Sequence, residues 1–305
     1  MKIKIILFIF ILMNFCFSVF AIENKILFKV NNEIITSVDI LNEIEYLKMN
    51  NKNLNKLDRE KIFEIGKNSI IREKIKVIEL SKYFESFEVE KKFYDLLLSE
   101  FIKRLNLKSK EEFKIYIRNK DISMQMVKEK IQIELLWNQL VVNKYSKDIK
   151  INKDQIKEEI KKNNFQKEIL ISEILFTVEN QKLEQKFNLI KQEIEKSGFE
   201  SAALLHSVSS SAGNGGKLGW IKLSSLNKKI KKEIIKTNVG EFTNPILIPG
   251  GFLILKIEEE RQTKITNNIN EELDNLIKEI TNKQLNQFSN IYLSKIRKEV
   301  QINEY

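Results

Sequence analysis

The sequence predicts an α+β protein in which a mainly helical body carries one inserted β-α-α-β-α-β-β unit. Two observations lead to this prediction. Apolar residues recur at helical spacing through most of residues 37–146 and again through residues 265–298. Between these stretches, residues 169–260 contain short segments in which apolar and polar residues alternate, as half-buried strands require. The helical stretches therefore flank a compact α+β unit.

The first 21 residues have the layout of a secretory signal peptide. Two lysines precede an unbroken apolar run from Ile5 to Met13, and the segment ends in Val-Phe-Ala at Ala21. This run is short for a membrane span, which needs ~20 residues. We therefore predict cleavage after Ala21, export from the cytoplasm and no stable membrane insertion afterwards. A retained membrane anchor over residues 5–20 is the alternative.

Charge and side-chain chemistry narrow the class of function. The formal net charge is +10, but lysines stand beside glutamates at helical spacing, as in EEIKKN and KKIKKEIIK. Such faces are typically solvated, and we expect no nucleic-acid partner. The single cysteine, Cys16, lies in the predicted signal peptide, and His206 is the only histidine. Because this leaves no metal-ligand spacing, we expect neither a metal nor a cofactor.

Residues 22–165 are predicted to form a helical domain that opens with a small hairpin. The segment KILFKVNNEIIT has the pattern of two short strands around an Asn-Asn turn. Thr36 with Asp39, and Ser109 with Glu112, have the spacing of a capping box at a helix start. Further helices are predicted over residues 59–80, 87–105, 109–118 and 123–146.

Residues 168–260 are predicted to form the α+β domain. ILISEILF and LGWIKL are predicted strands, and PILIPGGFLILKIEE is predicted to be a hairpin that turns at Pro-Gly-Gly. Helices are predicted over residues 180–196 and in FESAALLHSV and LNKKIKKEIIK. Glycine tolerates positive φ and close backbone approach. Gly215, Gly216 and Gly219 are therefore predicted to shape the loop before the strand LGWIKL.

Residues 265–305 are predicted to form one long amphipathic helix followed by a terminal strand, VQINEY. An apolar stripe of this length must pack against another element. The helical N-terminal domain is the expected partner, which makes the α+β domain an insertion between two halves of one helical body.

Four short motifs carry a resemblance to known families. The strand ending EIL, the segment F-x-x-x-A-x-x-x-S, the loop NGGKLGW and the hairpin strand GFLILKI resemble the parvulin-type prolyl isomerase domain. The segment VNNEIITSVDI is similar to the entry of the N-terminal domain of SurA-like periplasmic chaperones. The resemblance covers residues 24–305. SurA-like chains commonly carry two parvulin domains, whereas this chain has one.

The resemblance also implies where an isomerase site would lie. Active parvulins use two histidines and a cysteine or aspartate beside an apolar proline pocket. The corresponding positions here are Glu173, Ser209 and Leu253, and the pocket positions are Leu226 and Ile230. Leucine cannot form a hydrogen bond through its side chain, and a carboxylate in place of an imidazole reverses the local charge. We therefore expect weak or absent isomerase activity.

The resemblance implies a periplasmic chaperone, a holdase, for unfolded exported polypeptides such as outer-membrane β-barrel precursors. An active peptidyl-prolyl isomerase is the alternative. His206 is expected to make a structural hydrogen bond under the glycine loop rather than to take part in catalysis. Trp220 and Phe252 could contact a bound peptide or belong to the core. The core is the alternative because both residues lie in predicted strands with apolar neighbours. The expected contacts with a bound peptide are Leu226, Ile230, Trp220 and Phe252.

Overall fold

The computed structural model describes residues 24–162, 165–264 and 269–305. The predicted signal peptide, residues 1–21, and the first residues of the predicted C-terminal helix, 265–268, lie outside the described residues. The α+β class is confirmed, because helices surround two small antiparallel sheets. Within the described ranges, no helix is long and apolar enough to cross a membrane.

The helical body begins with the predicted hairpin. Strand β1 (Ile26–Val30) pairs antiparallel with β2 (Glu33–Thr36), and helix α1 (Ser37–Asn50) follows at once. The Thr36 hydroxyl accepts a hydrogen bond from the Asp39 amide, and the Asp39 carboxylate accepts one from the Thr36 amide at 2.8 Å. This reciprocal pair is the predicted capping box.

The other predicted helices of the body are also present. Asp58, Ser109 and Ser123 each accept a hydrogen bond from the amide three residues later, which sets three of the helix starts. The helix predicted from residue 87 begins instead at Lys91, after a residue with no side-chain cap. A mostly charged helix over 153–162 was not predicted. The helices are α2 (Arg59–Leu80), α3 (Lys91–Arg104), α4 (Lys110–Arg118), α5 (Met124–Tyr145) and α6 (Lys153–Lys162).

The second sheet contains β3 (Phe165–Phe176), β4 (Lys217–Lys222), β5 (Ile246–Ile248) and β6 (Gly251–Lys264). Their order in the sheet is β4-β3-β6-β5, with antiparallel neighbours throughout. Its long central strands pair from Phe165 opposite Lys264 to Phe176 opposite Phe252, and so extend beyond the predicted strands at the Phe165–Lys264 end. The helices of this part of the chain are α7 (Leu183–Ser197), α8 (Phe199–His206) and α9 (Lys228–Ile235).

Side chains of β3 and β6 alternate between two apolar layers, as the pleat of a strand requires. One layer packs under α7 and α8 and contains Ile174, Phe176, Phe252 and Ile254. The other layer packs under α9 and contains Ile171, Leu175, Leu253 and Leu255. This second layer forms the floor of the site described below.

The chain then returns to the helical body. Helix α10 (Ile269–Glu299) leads to β7 (Ile302–Glu304), which pairs antiparallel with β1. The Trp137 indole nitrogen of α5 donates to the Ser289 hydroxyl of α10 at 2.8 Å, and the Trp137 ring stacks on Tyr292 at 5.6 Å. Helix α10 therefore supplies part of the core of the body while another of its faces lies toward the second sheet.

Candidate functional site

A cavity of about 480 Å³ lies between the α9 side of the second sheet and helix α10. This volume is in the range of small-ligand and peptide pockets. The side toward α10 is polar and also receives Arg104 from α3. The floor and its rim are mainly apolar and are formed by Ile171, Leu175, Ile221, Leu226, Ile230, Ile248, Leu253 and Leu255.

Glu173 is an acidic side chain within this apolar floor. Strand β3 places it in the same row as Ile171 and Leu175, because alternate residues share one face. Its Oε1 atom accepts a hydrogen bond from the Ser209 hydroxyl and another from the Ser211 hydroxyl at 2.8 Å. Burial raises the pKa of the Glu173 carboxyl, and the two hydroxyl hydrogen bonds lower it by a smaller amount.

The segment that carries these serines is attached to the helical body. The Ser209 hydroxyl accepts a hydrogen bond from the Ser211 amide at 3.2 Å and so caps a short 3₁₀ turn over 210–214. The guanidinium of Arg72, on α2, donates to the Ser209 carbonyl at 2.8 Å. The position of the Ser209 and Ser211 hydroxyls therefore depends on a contact between the two parts of the fold.

The three glycines predicted to shape the loop all have positive φ. The values are +67° at Gly215, +79° at Gly216 and +80° at Gly219. At Gly216 the loop also approaches β3 closely, because the Glu173 amide donates to the Gly216 carbonyl at 2.8 Å. A Cβ atom on Gly216 would lie 2.2 Å from the Glu173 carbonyl oxygen. Only glycine fits this approach without displacement of β3.

The structure brings most of the predicted site residues together. Leu226, Ile230 and Leu253 line the cavity beside Glu173. Ser209 lies directly behind Glu173 and is buried. The polar positions of an active parvulin are therefore occupied here by a carboxylate, a hydroxyl that is already bonded to it, and a leucine.

The two aromatic residues predicted to contact a bound peptide, Trp220 and Phe252, lie in different places. Trp220 lines the cavity from the edge strand β4, with the guanidinium of Arg261 4.0 Å from its ring centroid. Phe252 is only 6% exposed and stacks on Phe176 at 5.8 Å, in the layer under α7 and α8. Because adjacent residues of a strand face opposite sides, Phe252 cannot share the floor with Leu253. For Phe252 the structure therefore agrees with the core alternative and not with peptide contact.

His206 lies outside this cavity. Its Nδ1 atom is 3.4 Å from the Lys186 ammonium on α7, so its polar contact is to that helix and not to the glycine loop as predicted. Burial lowers the pKa of His206 to about 4, and the charge of Lys186 acts in the same direction. Within the described ranges, no three His, Cys, Asp or Glu side chains are grouped so that they could hold a metal ion.

Sequence reasoning did not find the polar wall of the cavity. It is formed by side chains of α10, among them the bonded pair Glu279 and Lys283. These residues lie more than 100 positions after Glu173 in the chain. The apolar periodicity of α10 identifies its buried face and carries no information about what its polar face meets.

The raised pKa of Glu173 predicts that wild type and a variant with a neutral side chain at this position differ in stability by an amount that depends on pH. The folded protein holds this proton more tightly than the unfolded chain, so the group favours folding below the unfolded pKa of about 4.5. That contribution is lost as the pH rises through the folded pKa. Glu173→Gln keeps an oxygen that can accept from the serines, and we expect it to be more stable than wild type near pH 7, with the difference shrinking toward pH 4.

Urea unfolding of wild type and Glu173→Gln between pH 4 and pH 8 measures this difference. Glu195→Gln, at an exposed position of α7, is the matched control and should show a smaller pH dependence. A Glu173→Gln variant less stable than wild type at every pH would contradict the assignment of burial as the dominant influence on this carboxyl.

Comparison with known proteins agrees with this geometry. Residues 173–259 match the family model of the rotamase, or PPIC-type PPIase, domain. Over 59 residues the chain is 46% identical to the chaperone SurA of Pseudomonas putida, a match that covers 19% of this chain and 14% of SurA. Over 63 residues it is 32% identical to the foldase protein PrsA of Geobacillus kaustophilus, covering 21% of this chain and 22% of PrsA.

Among solved structures, a PpiC-type peptidyl-prolyl isomerase domain is 28% identical, with 32% of this chain and 95% of that chain covered and a TM-score of 0.29. A SurA-like chaperone of Campylobacter jejuni is 16% identical, with 92% and 99% covered and a TM-score of 0.36. By their match to the family model, residues 173–259 are a parvulin-type, PPIC-type domain. The chain spans only 14% of the length of the SurA relative that it matches.

Proposed function

We propose that this protein is a periplasmic chaperone that holds unfolded exported polypeptides, outer-membrane β-barrel precursors in particular, in the cavity between the second sheet and α10. One observation supports this most strongly. The cavity has an apolar floor around Leu226, Ile230 and Leu253, while Glu173, Ser209 and Leu253 occupy the positions where active parvulins carry two histidines and a cysteine or aspartate. The SurA and PrsA matches, to proteins named as a chaperone and a foldase, support the same class of function.

The proposal fits the chemistry of the expected clients. Strands of outer-membrane barrels alternate apolar and polar residues, so an unfolded precursor presents many isolated apolar side chains. A holding site needs apolar contacts of moderate strength within polar surroundings. An export signal at residues 1–21 and cleavage after Ala21 belong to this proposal, since they would bring the chain to the periplasm.

An isomerase needs more than an apolar grip on proline. The amide barrier of ~18–20 kcal/mol falls only when polar groups favour the twisted peptide bond over the planar one. Here Leu253 has no polar atom in its side chain, and Glu173 already accepts from Ser209 and Ser211. The proposed protein therefore isomerises Xaa-Pro bonds weakly or not at all.

An active isomerase is the second candidate, and the match of residues 173–259 to the PPIC-type PPIase family is the observation that favours it. The two candidates differ in one measurable property. An isomerase accelerates Xaa-Pro exchange in a short peptide, and Leu226→Ala, which truncates the pocket, abolishes that acceleration. A holdase shows neither effect.

The proposed function predicts that Leu226→Ala weakens client binding. Leu226 is partly buried and lines the cavity, so truncation removes an apolar contact worth about 1 kcal/mol to a bound client side chain, or about a fivefold loss of affinity. The measurement is suppression of light scattering when an unfolded barrel polypeptide is diluted from urea, titrated with each protein.

Leu189→Ala is the matched control, because Leu189 is half exposed on α7 and does not line the cavity. It should suppress aggregation as wild type does. If wild type fails to suppress aggregation in a saturable manner, the holdase proposal is wrong. If Leu226→Ala and Leu189→Ala behave alike, clients do not use this cavity.

A further inference from the structure

The polar wall of the cavity contains a row of side-chain amides. Asn282, Asn286, Gln287 and Asn290 all belong to α10 and all line the cavity. Their spacing of i, i+4, i+5 and i+8 places them along one face of the helix. We call these four residues the amide row.

Within the part of the chain that the structure describes, no hydrogen bond joins the side chains of the amide row to the rest of the protein. Other polar side chains of the same helix are engaged. Gln284 bonds the backbone of Lys150 through both its oxygen and its nitrogen, and Glu279 accepts from the Ser225 hydroxyl at 2.7 Å. Asn275, at an exposed position of α10 away from the cavity, also makes no side-chain hydrogen bond to the described residues, so the amide row is distinguished by its place in the cavity wall.

A side-chain amide offers two donors and an oxygen acceptor without charge. The backbone of an extended polypeptide presents the matching groups, an N–H donor and a C=O acceptor at nearly every residue. Across the cavity from the amide row, the floor is apolar, and Leu226 and Ile230 there can contact the apolar side chains of a ligand. The two walls therefore suit the two parts of one ligand, its main chain and its apolar side chains.

The dimensions agree with an extended segment. Eight residues of helix from Asn282 to Asn290 span about 12 Å at 1.5 Å per residue. An extended chain rises about 3.3 Å per residue, so the amide row faces about four client residues. Alternate side chains of such a segment point the same way, which matches the alternation of barrel precursors.

We propose that the amide row binds the main chain of an extended client segment by hydrogen bonds and thereby lets the cavity accept clients of many sequences. This inference rests on the proposed function, since it names how the same cavity recognises its client. It assigns client contacts to α10, outside the parvulin-type domain. Sequence selectivity then comes from the apolar floor alone.

The test uses a fluorescein-labelled dodecapeptide with alternating apolar and polar residues, one central proline and lysines at both ends. Its binding to the full protein is followed by fluorescence anisotropy. The triple variant Asn282→Ala, Asn286→Ala, Asn290→Ala is expected to bind the peptide ten- to thirtyfold more weakly. The matched control is Asn138→Ala, Asn143→Ala, Asn275→Ala, three exposed helical asparagines that do not line the cavity. It should bind as wild type does.

A second peptide separates main-chain recognition from a general effect of the substitutions. N-methylation of three backbone nitrogens removes main-chain donors and leaves the side chains unchanged. Wild type should lose about tenfold in affinity for the methylated peptide, whereas the triple variant should lose less than twofold, because the partners of those donors are already gone.

The possible results of these binding experiments distinguish failure of the amide-row proposal from failure of the proposed function. A triple variant that binds as tightly as wild type, or that loses affinity on N-methylation as wild type does, overturns the role of the amide row and leaves the proposed function standing. Absence of peptide binding by wild type overturns both. Since Asn→Ala raises helix propensity, loss of fold is not expected, and circular dichroism of each variant checks this.

Discussion

Gly216→Ala is expected to destabilise the parvulin-type domain by about 3 kcal/mol or more. The new Cβ would lie 2.2 Å from the Glu173 carbonyl oxygen, and the backbone has a φ of +79°. A left-handed conformation costs an L-residue about 1–2 kcal/mol, and forced overpacking adds about 1–3 kcal/mol. The loop must move away from β3, which also separates Glu173 from Ser209 and Ser211. Urea unfolding followed by far-ultraviolet circular dichroism measures the loss.

Gly219→Ala is the matched control for this prediction. Its φ of +80° is nearly the same, but no atom lies within 4 Å of the new Cβ. The expected loss is therefore the conformational part alone, about 1–2 kcal/mol. Equal losses in the two variants would show that the close approach of Gly216 to β3 does not contribute to stability.

Lys130→Met is expected to destabilise the helical body by about 3–5 kcal/mol. Lys130 is buried between two carboxylates, with its ammonium 2.5 Å from Glu43 and paired also with Glu73. Burial alone lowers the pKa of Lys130, but the two carboxylates outweigh it and the net pKa is raised. Removal of the cation leaves Glu43, which is 2% exposed, without its charge partner. A buried charge whose partner is removed costs about this much.

Lys128→Met, two residues earlier on α5, separates this effect from a loss of surface charge. Lys128 pairs with Glu88 at 3.2 Å, but the two side chains are 34% and 75% exposed. Exposed pairs contribute about 0–1 kcal/mol, so the change in the free energy of unfolding should be small. Similar midpoints of urea unfolding for Lys130→Met and Lys128→Met would contradict the role assigned to the buried ion pairs.

Local signals in the sequence account for the parts of the fold that were predicted well. The capping box of Thr36 and Asp39, and the serine caps at Ser109 and Ser123, involve residues three positions apart. The glycine loop likewise depends on the φ of individual residues. The sequence did not predict the extra length of β3 and β6. Residues 165–168 pair with polar residues of β6, and this part of the sequence lacks the apolar alternation that predicts a strand.

The candidate site could be predicted only in part, because its contacts join distant segments. The family resemblance identified Glu173 and Ser209, but their hydrogen bond spans 36 residues and no local pattern reports it. The placement of Phe252 was predictable in principle, since its neighbour Leu253 occupies the floor and strands alternate. The amide row was not predictable, because nothing in the sequence of α10 says which element its polar face meets.

Site-specific photo-crosslinking tests most directly whether a client lies in the cavity. Benzoylphenylalanine replaces Leu218, which is 38% exposed and lines the cavity, or Leu189, which is 50% exposed on α7 and does not. Each protein is irradiated with an unfolded β-barrel polypeptide freshly diluted from urea. We predict a crosslinked adduct from position 218 and little from position 189. Adducts of equal yield at both positions, or none at position 218, would contradict the proposal that this cavity holds unfolded polypeptides.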